Sequence, residues 1–280
     1  QLQCSFSILW KARKILRLKM IDIQNSKDTR EIPLQKVGVT DLSYPVQVLD
    51  KAEGSQKTCA KVNLFVNLPH NYKGTHMSRF IEIFHRHREN LGMKQFLFML
   101  EEIRKSLDAE RAFGSMEFPF FMKKQAPVSH AESIMCYECT YEGEVSSASS
   151  SFFIKIKIPV TTLCPCSKAI SQYGAHNQRG IVTVKLKNSS LFWIEDVIEE
   201  VEKSASGGLY SILKRPDEKF VTEHAYENPR FVEDVVREVF IALKNFSKSE
   251  KPFSWFSVEC KNFESIHNHN AYAYTEFSEA

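Results

Sequence analysis

No apolar run in this 280-residue chain reaches the ~18 residues that a membrane-crossing helix needs. Little net charge remains either: 37 Lys and Arg against 34 Asp and Glu leave +3 with His neutral. That balance argues for neither a nucleic acid nor a membrane as partner, and any anion site must be a local patch. A disulfide framework is missing too. Seven cysteines is an odd number, and the two most distinctive stand one residue apart, which suits metal binding or catalysis in a reducing cytosol better than cross-linking. The single CxxC, Cys136-Tyr-Glu-Cys139, has no second copy, sits in a strand pattern and opens no helix, so both cysteines read as structural. The dinucleotide-binding glycine fingerprint is also absent, which removes the main sequence argument for a nicotinamide cofactor.

What is present is an ordinary globular composition, 43% hydrophobic and 25% charged, in a length that suits one large domain or two modules of about 130 residues each. Residues 1–19 carry an apolar patch, Phe6–Trp10, followed by Lys11, Arg13, Lys14, Arg17 and Lys19. A secretory signal has its charges first, so this stretch is expected to be an extension outside the fold rather than a basic organelle-targeting peptide, with Met20 as a natural start. Asp22–Asp41 is polar with little periodicity, an N-terminal arm. Alternation of apolar and polar residues predicts strands in YPVQVLDK, CAKVNLFVNLP, FPFFMKKQAPV, SIMCYECTYEGEV, SFFIKIKIPVTTL, GIVTVKLKN, FSWFSVECKNF and NAYAYTEF. Helical spacing predicts helices over Met77–Glu89, Met93–Leu107, Ile194–Ser204 and Asn228–Asn245, the last with Pro229 near its start. Two strands, two helices and two strands, twice over, suggest tandem modules of antiparallel sheet with helices on one face, an α+β fold. The break falls in the serine-rich segment Glu144–Ser150.

The stretch Pro159–Arg179 carries the clearest chemistry. Cys164 and Cys166 flank Pro165, and His176 follows ten residues after the second thiol. Thiolate and imidazole are ligand types that Zn2+ or Fe2+ takes; the bland alternative is two structural cysteines and a surface histidine. The stretch reads as a strand end, a short helical turn over Ser167–Tyr173, and a bend at Gly174 that presents His176. Lys214–Asp234 is dense in carboxylates and, on composition alone, is a solvated charged loop. His267 and His269 stand two apart in a strand-like segment, so both can point to one side. Lys73, His76 and Arg79 surround a loop-to-helix junction, a ready anion site. Lys168, Arg179, Lys214 and Arg215 are further cations near the two main stretches.

The motif PVTTLCPCSKAISQYGAHNQRG, preceded by GTHMSRF and followed by KRPDEKFVTEHAYENPRFVED and ESIHNHNAYAY, resembles the signature of GTP cyclohydrolase IB, the metal-dependent bacterial enzyme that opens the guanine ring of GTP in folate synthesis. The resemblance runs from about Asp22 to the C-terminus. It implies two tandem tunnelling-fold modules, residues 21–145 and 146–280 after an extension over 1–20, whose sheets close into barrels in a homotetramer. It implies a cytoplasmic enzyme that takes GTP, with no nucleic acid or membrane partner and a divalent metal, zinc, iron or manganese. The ligands it implies are Cys164, His176 and Glu218, three protein donors that leave a position open as catalytic sites do. Cys166 becomes a catalytic thiol, and His267 and His269 proton-transfer or substrate-binding groups. Glu233 takes the role of the buried glutamate that accepts the N1–H and NH2 of guanine as a bidentate pair. Lys73, His76, Arg79, Lys168, Arg179, Lys214 and Arg215 are the candidates for holding its triphosphate. The expected product is 7,8-dihydroneopterin triphosphate. Relatives to separate from it are the archaeal cyclohydrolase with a cyclic phosphate product, the nitrile reductase of queuosine synthesis, and a zinc-stabilised module with no turnover.

Overall fold

Alternating residues build one long antiparallel sheet. The computed structural model describes residues 24, 26–188, 190–247 and 253–279; the expected N-terminal extension over 1–20 lies outside them. The strands are β1 (Leu34–Asp50), β2 (Gly54–Leu68), β3 (Arg111–Gln125), β4 (Glu132–Ser146), β5 (Ser150–Leu163), β6 (Asn177–Asn188), the two-residue β7 (Gly207–Gly208), β8 (Phe253–Asn262) and β9 (Ala271–Ser278). They form a nine-stranded sheet in the order β1-β2-β3-β4-β5-β6-β8-β9, with β7 paired to the end of β5. The period-two pattern does what alternation requires: Ile154, Ile156, Ile158 and Val160 on β5 and Val182, Val184 and Leu186 on β6 are all buried.

Helices cover one face. Between β2 and β3 lie α1 (Met77–His87) and α2 (Met93–Ser106); between β5 and β6 lies the short α3 (Pro165–Ile170); between β6 and β8 lie α4 (Ile194–Ser204), α5 (Arg215–Glu227) and α6 (Val232–Lys244). Phe80, Ile83 and Phe84 of α1, and Phe96, Met99, Leu100 and Ile103 of α2, are buried as their spacing predicts. Gly114 and Gly143 face each other across β3 and β4, and a Cβ on either would come within 3.0 Å of a side-chain atom of α2. The missing side chains let α2 lie close on the sheet. One continuous apolar core runs through both halves.

Three expectations need correction. The polar arm Asp22–Asp41 is already strand from Leu34, and its alternation is hidden by two register shifts, Leu34/Val37 and Val39/Leu42, and by Asp41 at φ +56°. The serine-rich segment Glu144–Ser150, where the break between modules is expected, is a tight hairpin in which Ser146 N–H bonds Ser149 O at 2.8 Å, and the sheet continues across it. The charged stretch after Lys214 is the helix α5, not a loop. The following helix starts at Val232, so Pro229 lies in the link between α5 and α6.

Candidate active site

The end of β5 sets the site. The last rung of the β5–β6 ladder pairs Leu163 with Asn177, and just beyond it Cys164 N–H donates to His176 O at 3.1 Å. This bond holds the thiol-bearing and imidazole-bearing residues side by side at one strand end. Cys164 is the N-cap of α3, its Sγ accepting from Ser167 N–H at 3.5 Å, with Pro165 at the first position of the helix. The Ser167 hydroxyl donates to Cys164 O at 3.2 Å and accepts from His176 N–H at 3.2 Å, clasping both ends of the loop. Gly174, at φ +120°, makes the bend that brings His176 back. The helical turn spans Pro165–Ile170, earlier than the expected Ser167–Tyr173. The His176 ring is bonded through Nδ1 to Gln178 Oε1 at 3.0 Å, and Gln178 Nε2 donates to Thr162 Oγ1 at 2.8 Å. Cys166 is exposed on α3.

Several other site residues gather at this end of the sheet. Arg230 N–H donates to Leu163 O at 3.0 Å, which docks the α5–α6 link on the β5 terminus, and Glu233 follows in the first turn of α6. Glu233 is exposed rather than buried. Phe263 N–H donates to Arg179 O at 2.9 Å, so the β8–β9 loop that carries His267 and His269 starts beside β6. These two lie in a bent loop, not a strand, yet their rings stack at 5.1 Å between centroids and 16° between planes. Lys168 Nζ donates to Tyr226 O and stands 4.4 Å from the centroid of that ring, tying α3 to the last turn of α5. The other end of α5 is pinned by Asp217. Its fully buried carboxylate accepts from Val128 N and Ser129 N at 2.8 Å each, from Ser129 Oγ at 2.6 Å and from Lys214 N at 2.8 Å. Burial opposes ionisation of Asp217, but these donors outweigh it and hold the carboxyl well below the usual range. Lys214, Arg215 and Glu218 are exposed beside that anchor.

The structure does not bring Lys73, His76 and Arg79 to this place. They follow the C-terminal end of β2, which by the antiparallel order lies level with the start of β5, a strand's length from Cys164. There Arg79 donates to Ser106 O at 2.9 Å.

The donor set Cys164, His176 and Glu218 is chemically suited to a divalent ion, a thiolate, an imidazole and a carboxylate. Cys164 and His176 are already neighbours through their backbones. Among the described residues, no three His, Cys, Asp or Glu side chains stand close enough together to hold an ion, so the three are not gathered into one set in the chain as it lies. The CxxC fits its structural reading: Cys139 is buried, Cys136 is exposed on the other face of β4, and burial raises both thiol pKa values. Sequence reasoning missed Ser167, Thr162 and Gln178. Their only signal is positional, since a serine three residues after an N-cap and two residues facing across a strand pair acquire meaning once the register is known.

A model of the family "Type I GTP cyclohydrolase folE2" matches residues 20–273. The chain belongs to this family. Relatives named GTP cyclohydrolase FolE2 include one from Geobacter sp. (strain M21), 52% identical over 92% of this chain and 94% of its own length. Another, from Syntrophus aciditrophicus (strain SB), is 53% identical over 92% and 99%, and that of Geobacter sulfurreducens is 51% identical over 92% and 98%. Among solved structures, a hyper-thermostable AgUricase mutant superposes with a TM-score of 0.51 at 9% identity, covering 88% of this chain and 92% of that one. The uricase from Arthrobacter globiformis gives 0.49 at 9% identity, over 88% and 93%. Identity this low speaks for fold alone, and the fold of this member of the cyclohydrolase family is the tunnelling fold: an antiparallel sheet, open in the single chain, with helices on one face.

Proposed function

We propose that the chain is a metal-dependent GTP cyclohydrolase I, which hydrolyses GTP to 7,8-dihydroneopterin triphosphate and formate at the head of tetrahydrofolate synthesis. One observation carries the reading: within a family match spanning residues 20–273, the segment with the family's thiols and imidazole folds so that Cys164 N–H bonds His176 O at the end of β5. Cys164, His176 and Glu218 would hold zinc, iron or manganese. Lewis acidity is what such an ion would supply, bringing the deprotonation of water towards neutral pH.

The chain's own groups do the rest. Glu233 accepts the N1–H and exocyclic NH2 of guanine and fixes C8 relative to Cys164 and His176. Exposed Cys166 offers its thiol to the ring. The stacked His267 and His269 move protons as the imidazole ring opens to a formamide and a second hydrolysis releases formate. Two waters enter and one leaves when the pterin ring closes after ribose rearrangement. Lys168, Arg179, Lys214 and Arg215 lie at the same end of the sheet and suit the triphosphate. Lys73, His76 and Arg79 lie a strand's length away, so they serve the triphosphate only from another copy, as in the proposed homotetramer whose sheets close into barrels. In this reading residues 21–145 and 146–280 are the two tunnelling modules, and the enzyme works in the cytoplasm.

The test is incubation of the metal-loaded protein with GTP, following formate release and the phosphorus NMR spectrum of the product. Formate with an intact triphosphate chain is expected. A cyclic phosphate would move the chain to the archaeal chemistry, and GTP bound without formate would make it a binding module.

A further inference from the structure

We propose that Gln178 is a positioning residue for His176: it holds the imidazole proton on Nδ1 and so keeps the Nε2 lone pair available to a metal. The inference rests on the reading of His176 as a ligand. Thr162 and Gln178 are direct partners in the β5–β6 register, and the two residues are 0% and 8% exposed. The relay is thus built on two paired strands rather than on a loop. Gln178 Nε2 donates to Thr162 Oγ1 at 2.8 Å, and Oε1 faces His176 Nδ1 at 3.0 Å. An amide oxygen can only accept, so Nδ1 must be the protonated nitrogen of the neutral ring. The same bond fixes the plane of the ring, while His176 N–H and C=O are held by Ser167 and Cys164. A metal-binding histidine characteristically donates its second nitrogen to such an acceptor, and loss of that partner typically weakens the metal 10–100-fold (order of magnitude). Were the amide turned over, its NH2 would donate to Nδ1, the proton would sit on Nε2, and that nitrogen could not ligate.

The experiment uses the full chain labelled with 15N-histidine, with His176→Ala to assign the ring among the nine histidines. Long-range 1H–15N spectra of the metal-free protein at pH 8 report the tautomer, and Zn2+ affinity is measured against a competing chelator. Wild type should show the Nδ1–H form. Gln178→Met, which keeps the length and removes the acceptor, should show mixed tautomers and bind Zn2+ about 10–100-fold more weakly. Gln178→Glu, which keeps an acceptor, should restore both the tautomer and the affinity, which a merely structural role would not predict. An Nε2–H ring in wild type, or an unchanged tautomer in Gln178→Met, overturns the proposal. If Gln178→Met loses the tautomer but neither it nor His176→Ala loses Zn2+, the ligand reading of His176 fails, and with it the claim that Gln178 serves the metal. Should Gln178→Met not fold, failure of the folded Gln178→Glu to keep the Nδ1–H form overturns the proposal.

Discussion

Replacing Lys124 by methionine should destabilise the protein more than almost any other single polar change. Lys124 sits near the end of β3, and its ammonium reaches Glu202 Oε2 on α4 at 2.6 Å and Leu209 O at 2.8 Å, with the ring centroid of Tyr210 4.3 Å away. The other oxygen of Glu202 accepts from the buried Tyr137 hydroxyl at 3.1 Å. The two charged side chains are only 10% and 12% exposed. Removing one member of such a pair leaves an uncompensated charge out of water, at a cost of about 3–5 kcal/mol. Against a total stability of roughly 5–15 kcal/mol that is a large fraction. Removing both members should cost less than the sum of the single changes. In Lys124→Met/Glu202→Leu the main remaining defects are the unpaired Tyr137 hydroxyl and Leu209 carbonyl, and an interaction energy of about 0.5–3 kcal/mol is expected between the two sites. Urea unfolding of wild type, both single variants and the double variant, at one protein concentration, measures the cycle. A Lys124→Met variant within about 0.5 kcal/mol of wild type, or strict additivity, would refute the reasoning by showing that water reaches the pair.

Three further outcomes follow from the site and the core. Cys166→Ala should keep its metal and lose turnover, whereas Cys164→Ala should lose the metal; metal analysis of both variants shows whether the two thiols have been exchanged. Glu233→Gln sets a donor against the guanine N1–H and should weaken GTP by roughly 1–3 kcal/mol. It should also erase most of the preference for GTP over ITP, and an unchanged GTP-to-ITP ratio with fold and metal intact would make Glu233 a solvated helix residue. Glu195 is buried; its Oε1 accepts from Lys51 N at 2.7 Å, while Oε2 has no partner among the described residues. Burial, aided by Asp50 and Asp196, raises its pKa. The folded state therefore holds this proton more tightly than the unfolded chain, whose glutamate titrates near ~4.3. The contribution of Glu195 to stability falls as pH rises from there through the folded pKa and is flat above it. Glu195→Gln should remove that slope in urea unfolding between acid and neutral pH, and an identical slope in the variant would assign it elsewhere.

The parts of the fold that were legible in the sequence are those where burial alone decides the residue. Ile154, Ile156 and Ile158 on β5, and Phe80, Phe84, Phe96 and Leu100 on the first two helices, announce their faces because one side of each element meets the core. Where burial is slight the pattern fades. In α5 only Asp217 and Ala225 are buried, so a helix anchored by one carboxylate looks like a charged loop. The first residues of β1 lie beyond its bulges and are largely exposed. At the candidate site, the nearness of Cys164 and His176 was legible from residue type and spacing. The Thr162–Gln178–His176 relay was not, since it depends on a strand register that no local window contains. The remoteness of Lys73, His76 and Arg79 was equally hidden, because it follows from the direction of β2 in the finished sheet.

Cys164, His176 and Glu218 are proposed together to hold the metal of a GTP cyclohydrolase. An anomalous difference map, collected at the metal edge from crystals of the active, metal-loaded enzyme, locates the ion and its ligands together. One strong peak per chain is expected, within bonding distance of Cys164 Sγ, a His176 ring nitrogen and a Glu218 carboxylate oxygen, with Cys166 off the ion. A peak bound by Cys166 in place of Cys164, or a full-occupancy peak that none of these three side chains touches, would contradict the proposal.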